Sequence, residues 1–387
     1  MTSFYLSKPY QPPQAPQNLP LKQPWPLFGG ISPEQFMKRY WHKKPLLIRG
    51  AIPAFALSAQ QQEHLDSPIS FDQLVQFANQ DEVESRLIQS KPWRFEQGPF
   101  QKKAIPKVDK PDWTLLLQGM EAHHPAAAKI LSWFRFIPDA RLDDLMISVA
   151  GIGGGVGPHF DSYDVFLLQG CGQRLWRISE QEDLSLVDGA PLRILKNFNA
   201  EQEWTLSAGD MLYLPPHVAH WGVAIGDCMT YSIGFRAPSA QELAAEFLNY
   251  LQENRTLSGM YADPNLALQE HPAEIGDGML KQVLSILNGL TWNDADVADF
   301  LGQYLSEPKS HIVFDAPKNI TLQAFEKRMR SQGVQLNFKS QLLKSDRSFY
   351  LNGEIVDLDL DSEVLMLKLA DLRKLSSEDL TPPLKMS

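Results

Sequence analysis

The 387-residue sequence predicts a mainly β protein with added helices: an antiparallel double-stranded β-helix of the jelly-roll type, followed by two smaller domains. Short runs rich in β-branched and aromatic residues crowd the stretch from Asp144 to Arg236 and are separated by Gly, Asp and Pro. No βαβ alternation accompanies them, which excludes a doubly wound parallel sheet. A long connection near 180–200 interrupts the run, as expected of a chain that crosses between the two sheets of such a barrel.

Taken in order, residues 1–27 repeat Pro and Gln (PYQPPQAPQNLPLKQP) and read as an extended arm, with Pro24-Trp25-Pro26 fastening its end. Ser32-Pro33-Glu34-Gln35 supplies an N-cap, a proline at the first helical position and early negative charge. Phe36, Tyr40 and Trp41 give that helix an apolar face, and PLLI at 45–48 reads as a buried strand. FDQLVQFANQ and WTLLLQGMEA read as helices, SRLIQ and WRFEQ as short strands. LMISVA, YDVFLLQ, RLWRIS, EWTLS, MLYLPP and MTYSIGF then form the barrel.

At Ser239 the period changes. Ser239 and Glu242 make a capping box, and Leu243, Phe247, Leu248 and Leu251 follow at helical spacing. GMLKQVLSILNGL and NDADVADFLGQYL predict two more helices, an insert suited to self-association. From about 306 the order is helix (TLQAFEKRMRSQ), strands (QLNFKS, SFYLNGEIVDL) and helix (EVLMLKLADLR), which is compatible with a winged helix. The expected division is thus 1–27 arm, 28–238 catalytic barrel, 239–305 helical domain and 306–387 winged-helix-like domain.

Charge limits the partners. The formal net charge of -10 speaks against broad nucleic-acid binding and suits a basic partner or simple solubility. Residues 301–387 balance 12 basic against 12 acidic side chains, so this winged helix reads as a protein-contact domain. No apolar run approaches a membrane span, and the first residues lack a secretory apolar core. Cys171 and Cys228 are the only cysteines, which gives no disulfide framework and fits a reducing, cytoplasmic setting.

The chemistry centres on GIGGGVGPHFDSYDVFLLQG at 151–170. On extended backbone residues two apart share a face, so His159 and Asp161 aim at one point. One imidazole and one carboxylate are two thirds of the two-His, one-carboxylate set that binds non-haem Fe(II) and leaves positions open. PPHVAHWG offers His217 and His220 as the third ligand; His220 is favoured because it begins the next extended stretch, while Pro216 confines its neighbour to a tight bend.

A 2-oxo diacid chelating such an iron also needs a cation for its far carboxylate. Arg174 alternates to one face with Trp176 and Ile178, and a guanidinium inside a barrel suits a bidentate carboxylate; an edge-strand surface arginine is the competing reading. Tyr231 and Ser232 are candidate hydrogen-bonding neighbours. Gly153-Gly154-Gly155 lacks the following Lys-Ser/Thr of a phosphate loop and reads as a flexible approach to the site.

Beyond these spacings, FMKRYWHKKPLLI, RLDDLMIS, GGGVGPHFDSYDVFLLQG, LPPHVAHWG, YSIGFRAP and YADPNLALQEHPAEI together resemble the JmjC-type ribosomal oxygenases. The resemblance is strongest to the bacterial branch that hydroxylates an arginine of large-subunit ribosomal protein sixteen. It implies a JmjC (cupin) barrel, a helical dimerisation domain that makes a homodimer, and a C-terminal winged helix. It further implies Fe(II) at His159, Asp161 and His220, with 2-oxoglutarate and O2 as co-substrates and Arg174 on the 2-oxoglutarate carboxylate. By the same resemblance, Asp144 and Tyr163 hold the substrate arginine, whose β-carbon is hydroxylated. A non-catalytic ribosome-associated binding protein and a demethylase of methyl-lysine are the two competing expectations.

Overall fold

The structure, a computed structural model, describes residues 20–53, 55, 67–314 and 320–380. Most of the Pro/Gln-rich arm lies outside the described residues. Its end is fastened as expected: Trp25 is buried in the main core, and its indole N–H donates to the Pro20 carbonyl.

Helix α1 (Pro33–Arg39) begins with a complete capping box between Ser32 and Gln35, which satisfies two N–H groups that the first turn would leave orphaned. Strand β1 (Leu46–Ile48), helix α2 (Phe71–Phe77) and strands β2 (Ser85–Ser90) and β3 (Trp93–Gln97) follow. The WTLLL stretch is not a helix but strand β4 (Trp113–Leu117), with every residue buried between β2 and a later strand. An unbroken apolar run fits a central strand covered on both faces, and packing overrides the helical propensity of its leucines.

After α3 (Pro125–Ser132) the barrel strands run β5 (Leu142–Ala150), β6 (Val165–Cys171), β7 (Gln173–Ser179), β8 (Gln202–Ser207), β9 (Met211–Leu214), β10 (Ala219–Ala224) and β11 (Cys228–Phe235). All pairings are antiparallel. They build an eight-stranded sheet, β1-β9-β6-β11-β5-β4-β2-β3, facing a three-stranded sheet, β10-β7-β8. This is the double-stranded β-helix that the sequence predicts.

Strand alternation separates two interiors. Phe166 and Leu168 on β6, Tyr213 on β9, and Tyr231, Ile233 and Phe235 on β11 turn outward, into a core shared with Phe28, Phe36 and Trp133. Val165, Leu167, Leu212 and Leu214 turn inward and meet Trp176, Ile178 and Leu206 from the small sheet. The apolar inner cluster fills part of the barrel. Beside it β5 and β11 contribute Asp144, Ser148, Thr230 and Ser232, which place polar groups on the wall of a cavity.

The first compact unit comprises the described residues up to Ala237 together with Lys309–Phe314 and Asn337–Lys339. The second contains helices α4 (Ala240–Asn254), α5 (Asp277–Leu287), α6 (Asp294–Ser306), α7 (Leu322–Gln332) and α8 (Leu360–Leu372). It also contains β12 (Val334–Gln335), β13 (Leu342–Lys344), β14 (Phe349–Leu351), β15 (Glu354–Val356) and β16 (Lys374–Leu375). The predicted capping box at Ser239 and Glu242 opens α4. QLNFKS is largely not a strand; its first residue pairs with Lys374, and the sheet proper is β13-β14-β15. Leu342, Phe349 and Ala370 form its core, while Gly302 of α6 lies so close to Tyr350 that a Cβ would meet the ring at 2.3 Å.

Candidate active site

His159, Asp161 and His220 converge. Each offers one ligand atom, and these atoms all lie within 4.8 Å of one another, the one such group of three among the described residues. The rings of His159 and His220 are 4.2 Å apart between centroids, and His220 Nε2 lies 3.7 Å from Asp161 Oδ2. His217, the other candidate, is exposed at φ 66°, its ring is tilted against Phe160, and it is not one of the converging three.

Backbone pairing sets this geometry. His159 is not on a regular strand, contrary to the simple reading of HxD; it forms an isolated bridge with His220 at the edge of β10. Phe160 is correspondingly not packed behind the pair but half-buried on the cavity wall, under the Arg193 guanidinium. In each histidine Nδ1 lies 2.9 Å from a nearby carbonyl, Gly157 for His159 and Val218 for His220. A carbonyl can only accept, so Nδ1 carries the proton and Nε2 keeps the lone pair that a metal takes. Burial, with the charge of His159, lowers the His220 pKa from 6.5 to about 4, which keeps it neutral and able to ligate.

The glycine run has a different job from the one expected. A Cβ on Gly154 would meet the Trp113 carbonyl oxygen at 2.0 Å, and one on Gly155 would meet that of Gly222 at 2.4 Å. The run is therefore wedged between neighbouring backbones, and Gly153 and Gly154 exchange hydrogen bonds with Ala224 of β10. It fixes the approach to His159 rather than loosening it.

Arg174 is buried inside the barrel, only 4% exposed, which removes the edge-strand alternative. Among the described residues its Nε has no hydrogen-bond partner and a terminal nitrogen reaches the Cys228 sulfur at 3.6 Å, while its guanidinium leans toward the Trp176 ring. A buried guanidinium without an anion is costly, so this geometry calls for a carboxylate from a ligand. Arg174 and the three converging residues line one cavity of about 400 Å³. Ser232 lines it too, whereas Tyr231 points to the opposite face and bonds Ser67. Ser148 and Thr230 were missed by sequence reasoning, although their alternation with the outward apolar positions of β5 and β11 carries the signal. Leu192 and Arg193, from the long connection, carried none.

The cavity mouth is acidic. Where β11 pairs β5, the register shifts at Gly234/Phe235, so Asp143 is an extra residue on β5 and both Asp143 and Asp144 reach the lining. Asp144 Oδ2 accepts the Gly119 N–H at 3.0 Å, and burial raises its pKa. Tyr163 stands opposite, 38% exposed, its hydroxyl held un-ionised by burial and the neighbouring Asp161, Asp144 and Asp143. Gly234 lies between: a Cβ there would be 3.4 Å from Asp144 Oδ1 and 3.9 Å from the Tyr163 ring.

The chain is similar to known proteins in sequence and in fold. Residues 129–243 match the JmjC domain, and residues 289–385 match the ROXA-like winged helix. The chain is 31% identical to the ribosomal protein uL16 3-hydroxylase of Escherichia coli (strain K12), over 83% of this chain and 84% of that protein. The chain belongs to the JmjC ribosomal oxygenases. Another member, a probable ribosomal oxygenase of Haemophilus influenzae, is 33% identical over 62% of this chain and 56% of its own. Among solved ribosomal oxygenases, E. coli YcfD in complex with cobalt and 2-oxoglutarate superposes with a TM-score of 0.73 at 29% identity, covering 90% of this chain and 91% of that one. The YcfD complex with cobalt and succinic acid gives 0.71 at 29%, covering 89% and 90%. The winged helix and barrel of this oxygenase thus agree with the fold class read from sequence.

Proposed function

We propose that the protein is an Fe(II)- and 2-oxoglutarate-dependent hydroxylase of a ribosomal protein, the counterpart of uL16, acting at the β-carbon of an arginine. The observation that carries this reading is one cavity holding both a three-ligand cluster and a buried arginine that lacks an anion. His159, Asp161 and His220 would hold the iron, leaving positions for a bidentate 2-oxo acid and O2. Arg174 would bind the far carboxylate of 2-oxoglutarate, with Ser148, Thr230 and Ser232 close by.

The bound metal would supply the oxidative chemistry: 2-oxoglutarate, O2 and a C–H bond become succinate, carbon dioxide and C–OH. The chain's residues would place the substrates. Trp176 and Leu167 shield the 2-oxoglutarate side of the cavity from water. Asp144 receives the substrate guanidinium and Tyr163 packs beside it, which presents the side chain to the metal from the mouth. A methyl-lysine demethylase would favour an aromatic cage, and a carboxylate at the mouth fits an arginine better.

The division into arm, barrel, helical domain and winged helix belongs to the same proposal, with the homodimer formed through the helical segment. In α5, Leu280, Leu284 and Leu287 are 61%, 54% and 60% exposed, a face suited to a second copy. A ribosomal substrate implies a cytoplasmic setting; among the described residues no helix is long and apolar enough to cross a membrane. The test is to load the protein with Fe(II) and 2-oxoglutarate, add air and ribosomal proteins, and record intact masses. One oxygen gained by uL16 at an arginine supports the reading. Succinate without that gain moves the substrate elsewhere, and neither signal from folded, iron-loaded protein returns it to a binding role.

A further inference from the structure

A cation of the chain stands beside the two mouth carboxylates. Lys309 follows α6 in sequence but belongs to the compact unit that carries the barrel. Its Nζ lies 3.0 Å from Asp143 Oδ1, and Arg236 Nε approaches the same oxygen at 3.8 Å. Asp143 is thus answered by two cations of the chain. Asp144, which lines the cavity beside it, accepts the Gly119 N–H but has no ion pair of comparable closeness among the described residues. Lys309 is absent from the cavity lining, so it stands to the side of the carboxylates and not where a substrate would enter.

We propose that Lys309 is a positioning residue for substrate recognition: it occupies Asp143, so that Asp144 is the single carboxylate presented to the incoming guanidinium. This inference rests on the reading of Asp144 as the substrate carboxylate.

The charges around Asp144 give the argument its direction. Glu121 from the turn after β4 and Tyr163 from the loop before β6 are pushed toward their neutral forms by burial and by Asp144. Asp143 on the same strand disfavours a negative charge on Asp144, and burial acts the same way. Lys309 is the cation opposing them at Asp144. The influence is mutual: burial alone would lower the Lys309 pKa, but Asp144, Asp143 and Glu121 raise it. Glu121, buried beside Asp144, is pushed up to about 8 and carries little charge at neutral pH. With Lys309 removed, Asp144 would take up a proton at a higher pH and lose its hold on a guanidinium. A neutral carboxyl can still accept a hydrogen bond, but the charge-assisted bidentate contact is gone.

The test compares wild type, Lys309→Met, Lys309→Gln and Lys309→Arg in iron-loaded protein, with recombinant uL16 as probe, across a pH series. In the Met and Gln variants the KM for uL16 should rise about tenfold near neutral pH, the scale of a weakened charge-assisted contact, and recover toward wild type as pH increases. The kcat should stay within about twofold, because the residue touches neither metal nor co-substrate. The acidic limb of kcat/KM should move to higher pH, and Lys309→Arg should restore it. An unchanged KM and pH profile would overturn the inference. So would a fall in KM, which would make Lys309 a competitor of the substrate, or loss of the folded state in both neutral variants. If wild type itself fails to hydroxylate uL16, it is the functional reading that falls, a result distinct from all of these.

Discussion

His159 and His220 are joined by two reciprocal backbone hydrogen bonds, His159 N–H to the His220 carbonyl at 3.0 Å and His220 N–H to the His159 carbonyl at 2.7 Å. The ligand separation is therefore set by main chain, which no substitution of either side chain removes. His159→Ala, Asp161→Ala and His220→Ala should each retain the fold while lowering Fe(II) occupancy and abolishing succinate formation. Metal analysis of dialysed protein, with circular dichroism as the control, checks this. Wild-type turnover in any of the three would refute the ligand set.

The role proposed for Arg174 predicts how much co-substrate the enzyme needs. Arg174→Ala should raise the 2-oxoglutarate concentration needed for half-maximal turnover by about 100-fold, the scale of a lost buried charge-assisted contact of about 3 kcal/mol. Lys would restore only part, because it cannot form the planar two-point contact. Titrating 2-oxoglutarate and measuring succinate decides it; an unchanged requirement would move the role to another side chain.

The barrel was legible because its strands carry period-two patterns that only one burial arrangement satisfies. Phe166 and Leu168 face one core while Val165 and Leu167 face the other. Legibility failed where tertiary pairing decides local state. WTLLL has no period of its own and became a strand because β2 and β5 flank it. The converging residues were readable from spacing, but the role of Gly154 was not, since the carbonyl it packs against lies 41 residues earlier, at Trp113. Lys309 was invisible for the same reason: nothing near it in sequence marks its approach to Asp143.

Stability of the metal-free protein should respond to pH in two opposing ways. His220, lowered to about 4 by burial, and His123, lowered to about 4 by burial with Lys339 and His311 nearby, bind protons more readily unfolded. Stability therefore falls as pH drops from about 6.5 toward about 4, with His220 alone contributing about 3 kcal/mol. Glu121 has the reverse sign: raised to about 8 by burial and Asp144, it binds its proton more tightly folded, so its penalty grows from about pH 4.5 to about pH 8. Glu121→Gln keeps an acceptor for the Leu145 N–H, now received at 2.8 Å, and removes that penalty. Its melting temperature should exceed wild type by a margin that widens between about pH 5 and about pH 8; a constant or shrinking margin would contradict the assignment.

The α5 face gives the last prediction. Met279, Leu280, Val283, Leu284 and Leu287 recur at i, i+1, i+4, i+5 and i+8, and all are exposed in the single chain. No residue of this helix is fully buried, so much of its apolar side is left uncovered by the chain's own folding. A second copy burying three leucines from each partner would gain about 1.5–3 kcal/mol per fully covered side chain, sufficient to offset part of the association entropy. Sedimentation of wild type at micromolar concentration should give a dimer, and Leu280→Glu with Leu284→Glu a monomer. The barrel should keep its Fe(II) occupancy in that variant, because His159, Asp161 and His220, the proposed ligands, all lie within the other compact unit. A monomeric wild type, or a dimer unaffected by the two glutamates, would remove α5 as the interface.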